Sequence, residues 1–420
     1  MGAEGSSQES RGQDPGVVLV VPLVPAAGDN GLAMRAGMLL EALASRWRVD
    51  LVIVPVSGPV EDTTWARGLA RSLTLLAPVS GATARSHLTR QLADPLLRDR
   101  LARAAPLPSR AMAAPPTLAD DALAELAAGA RRPLAVVAMR GYLAPLGITL
   151  ARVLEAGRVV VDLDDDDEML ARSYAETAEA DASARLARAW LSDADVVCAA
   201  SPREAAAMAS RYGLRNVRTV PNGVRLPSPV APPPGEHRLL FVGNLTYAPN
   251  LEAAKVLVSE ILPRVRVKHP QATLDLVGPH AGALGDAPAA VRIAGRVADL
   301  RSWYEGADVV LAPLWHGGGT RIKVLEALAY GRPVVATPLA VSGIDVRAGR
   351  EVLLADSPPS LADAVSTLLD DPELGARLCE HAGQMVRERY SQSVIAPLVW
   401  DLVAGDPAER ERRAPVMESA

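Results

Sequence analysis

The chain has 420 residues, too many for one ordinary core; domains of roughly 100–200 residues predict about two. Hydrophobic residues make up 49%, enough for two cores, and the net charge of −5 excludes a chain-wide basic surface for nucleic acid. The two cysteines, Cys198 and Cys379, lie far apart and suggest neither a disulfide framework nor a metal pair, which fits a reducing cytoplasm.

Residues 1–16 are polar, lack the apolar stretch of a signal peptide, and are expected to form a disordered leader. VVLVVPLVP (17–25) is a continuous apolar run and predicts a buried parallel strand. AAGDNG (26–31) is turn chemistry. LAMRAGMLLEALASRW (32–47) has helical spacing, with Leu32, Leu39, Leu40 and Leu43 on one face. VDLVIVPV (49–56) is a second strand, so the chain opens with a βαβ unit of a doubly wound domain.

Residues 61–130 are less regular and rich in Ala, Leu and Arg. Further strands are expected at 134–139, 158–164, 194–201 and 217–224. SPVAPPPGEH (228–237) carries four prolines and a glycine and predicts a linker, ending a first domain at 17–227. The pattern then restarts. Strands are expected at 238–244, 272–279, 291–295, 308–314, 333–337 and 351–356, with intervening helices; one of these helices ends at Gly331, a natural residue to close it. The second domain is placed at 238–389, a final helix at 390–404 and a flexible tail at 405–420. No run of about 18 apolar residues predicts a membrane span. Two such α/β domains would face each other across a cleft, with ligands at the carboxyl ends of their strands.

HGGGTRIKVLE (316–326) follows the strand at 308–314 and opens a helix. Gly317, Gly318 and Gly319 let an anion approach free backbone N–H groups at the helix start. Arg321 and Lys323 work against the helix dipole there unless an anion lies between them. Glu326, a turn later, suits the hydroxyls of a ribose. Together they suggest a nucleoside diphosphate; the plainer reading is a glycine loop with a solvated Arg and Lys. Neither G-x-x-x-x-G-K-[ST] nor G-x-G-x-x-G is present in the stretch.

PNGV (221–224), FVGNLTYAPN (241–250), GRVADLRSWYEGADVVLAPL (295–314) and GGGTRIKVLEALAYGRPVVAT (317–337), in this order, resemble the retaining glycosyltransferases of the GT-B fold, glycosyltransferase family 4, in the branch with GGGTRxKxLEA. The resemblance runs from about Val17 to Trp400 and is strongest at 238–345. It implies two Rossmann-like domains facing a cleft, the final helix crossing back onto the first. It implies a nucleotide-sugar site in which Glu326 binds the ribose, and Arg321 and Lys323, with His316, Gly317, Gly318, Gly319 and Thr320, surround the diphosphate. Arg296 and Val297 would cradle the base, and Gly243 and Asn244 would lie near the phosphates. Gly28, Asn30 and Gly31, in the loop that also holds Asp29, would face the donor sugar and acceptor. Arg321, Lys323, Glu326 and Asn30 are the expected catalytic residues. The chain departs from the pattern at three places. Gly318 replaces a glutamate that usually contacts the sugar. Asn244 replaces a phosphate-binding arginine. Met139 and Arg140 stand where a histidine often ends a first-domain strand.

DLDDDDEML (162–170) reads as a helix start capped by Asp164 or Asp165, or as an acidic D-x-D metal site of another glycosyltransferase fold. The helix start is preferred and no metal is assigned; Arg140, Asp162 and Asp164 are candidate acceptor contacts. His316 is the candidate functional histidine, while His87, His237, His269, His280 and His381 are read as surface or loop residues, His87 with a secondary acceptor reading. Trp303 and Tyr304 are read as core. The arginines of 61–110, Arg67, Arg71, Arg85, Arg90, Arg98, Arg100, Arg103 and Arg110, are read as a solvated helix face, or as a weak contact with an anionic membrane surface.

The expected function is a metal-independent, retaining transfer of a hexosyl group from a UDP- or GDP-sugar to a polysaccharide, lipid-linked or small natural-product acceptor. No cofactor is expected, since the nucleotide-sugar is a substrate. The expected location is the cytoplasm, or the inner face of its membrane. The alternatives are a sugar-nucleotide 2-epimerase of the same fold, which needs more acid–base groups facing the sugar, and a nucleotide-binding subunit without turnover.

Overall fold

The computed structural model describes residues 16–28, 30–76, 107–113, 126, 132–279, 284, 288–297, 299–317 and 322–405. The leader, most of the tail, Asp29, His87, His280, Arg85, Arg90, Arg98, Arg100, Arg103, Gly318, Gly319, Thr320 and Arg321 lie outside the described residues.

The first sheet is built from β1 (Gly16–Val21), β2 (Arg48–Ile53), β3 (Ser72–Leu75), β4 (Ala135–Met139), β5 (Val159–Asp162), β6 (Val196–Ala199) and β7 (Val217–Thr219). Its order is β3-β2-β1-β4-β5-β6-β7, and every pairing is parallel. Leu19 sits opposite both Leu51 and Val137. Both faces are covered, which explains the unbroken apolar runs. Val17, Leu19 and Val21 pack towards α1 (Gly31–Ala44), while Val18 and Val20 pack towards α4 (Ala144–Val153). Residues 61–130, read as irregular, supply α2 (Thr64–Leu69), the edge strand β3 and α3 (Ser109–Ala113). The short, half-polar SLTL of β3 carried too little period-two signal to be seen.

α1 is buried on nearly all sides. Leu39, Leu40 and Leu43 are fully covered as expected, whereas Leu32 is only partly so. Gly37 is required there: a Cβ would stand 2.2 Å from the Ala26 carbonyl oxygen, so bare backbone lets the loop after β1 fold onto the helix. Beyond β5 run α5 (Asp167–Ser173), α6 (Thr177–Trp190) and α7 (Pro202–Tyr212). The cap of α5 is Asp166, which accepts from the Glu168 and Met169 amides, and not Asp164 or Asp165.

The second sheet comprises β8 (Arg238–Val242), β9 (Thr273–Val277), β10 (Val291–Gly295), β11 (Val309–Ala312), β12 (Val334–Ala336) and β13 (Leu353–Leu354), ordered β10-β9-β8-β11-β12-β13 and parallel throughout. α8 (Ala248–Val256) runs through a π-helical turn into α9 (Leu262–Lys268). α10 (Arg301–Glu305), α11 (Ile322–Ala329), α12 (Pro358–Asp370) and α13 (Pro372–Arg389) complete this half. His269, read as a surface residue, is buried against the end of α9, with Nε2 3.5 Å from an Asp370 oxygen.

Residues 229–237 are fastened to the second half. Arg332, fully buried, donates to the Ala231, Ala307 and Tyr330 carbonyls. The Asp308 carboxylate accepts from the amides of Gly235 (2.6 Å) and Arg238 (2.8 Å). The chain passes between halves at two adjacent points: the Val224 amide donates to the Tyr390 carbonyl at 2.8 Å. α14 (Gln392–Ala404) then returns to the first half, where Ile395, Val399, Leu402 and Val403 join the α1 core. Trp400 Nε1 donates to the Ala42 carbonyl, and the Arg46 guanidinium lies 5.1 and 5.3 Å from the Trp47 and Trp400 rings. Among the described residues, no helix is long and apolar enough to cross a membrane.

Candidate active site

In each sheet the strand order reverses at one point, between β1 and β4 and between β8 and β11. Crevices at such points receive ligands. The two crevices face one another. A Cβ on Gly31, at the start of α1, would lie 3.7 Å from Ile322 Cδ1, at the start of α11. Met34 packs on the second core. Arg296 pairs with Glu61 at 2.8 Å, and Tyr174 meets Tyr247 edge to face with ring centres 6.3 Å apart. Gly28 has open space where a side chain would project.

On the second side, Gly243 follows β8. Gly278 has φ +146°, and a Cβ there would stand 1.9 Å from the Gly243 carbonyl oxygen. Only two bare backbones pass at that distance. Lys323 reaches this turn from the start of α11. Its Nζ donates to Asn250 Oδ1 at 2.6 Å and stands 4.9 Å from the centre of the Phe241 ring. Asn244, placed near the phosphates by the sequence, spends its side-chain oxygen on its own turn, accepting from the Thr246 amide (2.9 Å) and hydroxyl (2.8 Å). Gly317 has φ +103°, which a side chain would oppose. His316 is half-exposed, with Nε2 3.7 Å from a Glu252 oxygen. Val297 packs on the core behind.

Glu326 lies one turn beyond Lys323. Burial pushes its carboxyl up to about 7; a hydrogen bond from Tyr304 and the charge of Lys323 only partly offset this. The Tyr304 hydroxyl stands 3.4 Å from both Glu326 Oε2 and the Lys323 carbonyl oxygen, and its ring stacks on Tyr330 at 4.8 Å. Tyr304 is core, as expected, yet its hydroxyl reaches the candidate site. Burial and the neighbouring Glu326 raise its own pKa.

The first side is held by a residue the sequence reading missed. Arg35, fully buried in α1, donates to both Asp162 oxygens (2.7 and 2.6 Å), to Asn222 Oδ1 (2.9 Å) and to the Val220 carbonyl (3.1 Å). Burial alone would lower its pKa, but Asp162 and Asp164 reverse that and keep it charged. Only half of a signal was present: Arg35 precedes Leu39 by one turn and so lies on the apolar face, but its partner Asp162 is 127 residues away.

This changes the expectation for the acidic run. Asp162, 1% exposed, is committed to Arg35 through both oxygens and presents almost no surface to an acceptor. Arg140, buried with φ +76°, ion-pairs with Asp167 and stands 3.6 Å from Asp164. Asp166 pairs with Arg211 and accepts from the Tyr212 hydroxyl; Glu168 pairs with Arg172. Asp164 keeps slight exposure and sits between Arg35 and Arg140, at 3.5 and 3.6 Å; burial raises its pKa and the two guanidinia partly restore it. Among the described residues, no group of three or more His, Cys, Asp or Glu is arranged to hold a metal ion.

Asn30 is also accounted for structurally: its side chain caps α1, accepting from the Ala33 amide at 3.0 Å. Thus Gly31, Gly243, Lys323 and Glu326 are gathered around the cleft. Asn30, Asn244 and Asp162 are held by turns, caps and ion pairs of their own, and Arg321 lies outside the described residues.

Two parallel, doubly wound sheets with facing switch points and a returning C-terminal helix define the GT-B fold. Residues 236–371 match the family described as "Glycosyl transferases group 1". The chain is similar to a D-inositol 3-phosphate glycosyltransferase of Corynebacterium glutamicum, 37% identical over 118 residues, 27% of this chain and 28% of that protein. It is also similar to a phosphatidyl-myo-inositol mannosyltransferase of Mycobacterium tuberculosis, 33% identical over 189 residues, 41% of this chain and 48% of that protein. The matched regions therefore span half the length or less of these curated relatives. In structure, the chain resembles Anabaena HepE in complex with UDP and glucose, with TM-score 0.66 and 15% identity over 93% of this chain and 100% of that one. It resembles a sucrose-phosphate synthase of Thermosynechococcus elongatus with TM-score 0.65 and 20% identity, over 93% and 98%.

Proposed function

We propose that the chain is a retaining glycosyltransferase that moves a sugar from a nucleoside-diphosphate sugar to an acceptor hydroxyl. The observation that carries this is the convergence of the Gly243 turn, the Lys323 ammonium and the Glu326 carboxyl at one switch point, facing the start of α1. Backbone and ammonium suit a diphosphate, and the carboxylate suits a ribose diol. The glycosyltransferase names of the matched relatives support the class. UDP bound to a protein of similar fold supports the donor type.

In the reaction, the bond from the anomeric carbon to the diphosphate oxygen breaks and the bond to the acceptor oxygen forms on the same face. The acceptor proton passes to the departing phosphate, so no side chain is required as base. Lys323 and the α11 N-terminus stabilise the charge that builds on the diphosphate. No metal ion is assigned a part. Glu326 holds the nucleotide and Asp164 is the carboxylate left for an acceptor hydroxyl. Inositol-type polyols, by analogy with the relatives' names, are the first acceptors to try.

Calorimetric titration with UDP, GDP, TDP and ADP, with and without EDTA, tests the donor assignment. One nucleotide binding equally in EDTA is expected. Binding that requires a divalent cation would refute metal independence, and no binding by folded protein would refute the nucleotide site.

A further inference from the structure

Lys323 is held from outside its own helix. Asn250, only 7% exposed in the first turn of α8, accepts from Lys323 Nζ at 2.6 Å. Its other amide atom, Nδ2, donates to the Asn244 carbonyl at 2.8 Å. One side chain therefore ties the turn after β8 to the ammonium. The three groups are in close contact: a Cβ on Gly243 would meet Asn250 Cγ at 3.0 Å and Lys323 Nζ at 3.1 Å. The Phe241 ring closes another side of the ammonium. A carboxylate at position 250 would fix the lysine equally well but neutralise it. An amide oxygen fixes it and leaves the positive charge for a ligand.

We infer that Asn250 is a positioning residue that aims the Lys323 ammonium at the diphosphate of the bound nucleotide and preserves its charge. The inference rests on the nucleotide reading above and adds a determinant of phosphate affinity that lies outside the glycine-rich stretch. Asn250 acts through Lys323, so its contribution disappears when the ammonium is absent.

The test is a double-mutant cycle read by calorimetry, using whichever of UDP, GDP, TDP and ADP binds the wild type. Asn250→Ala is expected to weaken binding about tenfold in the wild type, as loss of a charge-assisted hydrogen bond would. In the Lys323→Ala background it is expected to change nothing. Asn250→Asp is expected to bind more weakly still, because it offsets the ammonium. Equal weakening by Asn250→Ala in both backgrounds would overturn the inference, since Asn250 would then act through the turn after β8. Undiminished binding by Asn250→Ala or Asn250→Asp would overturn it as well, while leaving the nucleotide site intact. Should Asn250→Ala not fold, Asn250→Ser replaces it in the same cycle. If folded wild type binds none of the four nucleotides, the proposed function fails and this inference fails with it.

Discussion

On the proposed reading, in which Glu326 receives the ribose, nucleotide binding depends on pH. Its carboxyl titrates at about 7, raised by burial. A ribose diol donates to the ionised form, so protonation competes with the nucleotide. At about pH 6 only about a tenth of the sites are ionised, and affinity falls about tenfold relative to alkaline pH. The nucleotide's own phosphate titrates near pH 6, so wild type alone is ambiguous. Glu326→Gln shares the phosphate titration but lacks the carboxyl. The assay is calorimetry on both proteins between about pH 6 and 8, and the quantity is the ratio of their Kd values. The ratio should change about tenfold, with the two proteins closest at low pH. A constant ratio would refute the ribose role. Stability carries an opposite sign. The folded chain holds this proton to about 7, while the unfolded chain releases it near 4.5. Between those values the folded state binds more protons, so stability falls as pH rises, by at most roughly 3 kcal/mol. Glu326→Gln should remove that fall in the ligand-free protein, as chemical denaturation across the same window would read.

Other outcomes follow from particular contacts. Lys323→Ala should weaken nucleotide binding by about 2–4 kcal/mol, measured by calorimetry, with no change on adding EDTA. Arg35→Met strands Asp162 without its partner and should cost about 3–5 kcal/mol of stability in urea unfolding, whereas a surface pair such as Arg132–Glu155 should contribute under about 1 kcal/mol. Gly278→Ala forces its Cβ into the Gly243 carbonyl and takes a strained φ; a loss of about 2–4 kcal/mol and weaker nucleotide binding are expected, read by thermal melts and calorimetry. Wild-type stability in Gly278→Ala would mean that the turn after β8 moves aside.

The βαβ rhythm was legible because both faces of each sheet are covered, which turns strands such as VVLVV into continuous apolar runs. The start of α11 was legible because Lys323 and Glu326 are neighbours in sequence, one turn apart on one helix. Asn250 and Arg35 were not, for different reasons. Asn250 acts on a lysine 73 positions away, and no local pattern announces that distance. Arg35 sits on an apolar face where a charge looks like an interruption, until Asp162, 127 residues later, explains it. The acidic run misled in detail for a related cause. Spacing shows that a helix starts there, but which aspartate caps it is set by Arg140, Arg211 and Tyr212, drawn from other segments.

α14 has a bearing on how the chain matures during synthesis. Residues 16–219, which hold the first sheet, leave the ribosome first. Their core still lacks Ile395, Val399, Leu402 and Val403. Until those arrive, the apolar face of α1 around Leu39 and Leu43 is without its cover, and the Ala42 carbonyl is without Trp400. The second half can complete its own sheet in the interval, since β8 to β13 are contiguous in the chain. The half made first is thus the half finished last, and truncation before residue 392 should leave a nascent chain that chaperones retain.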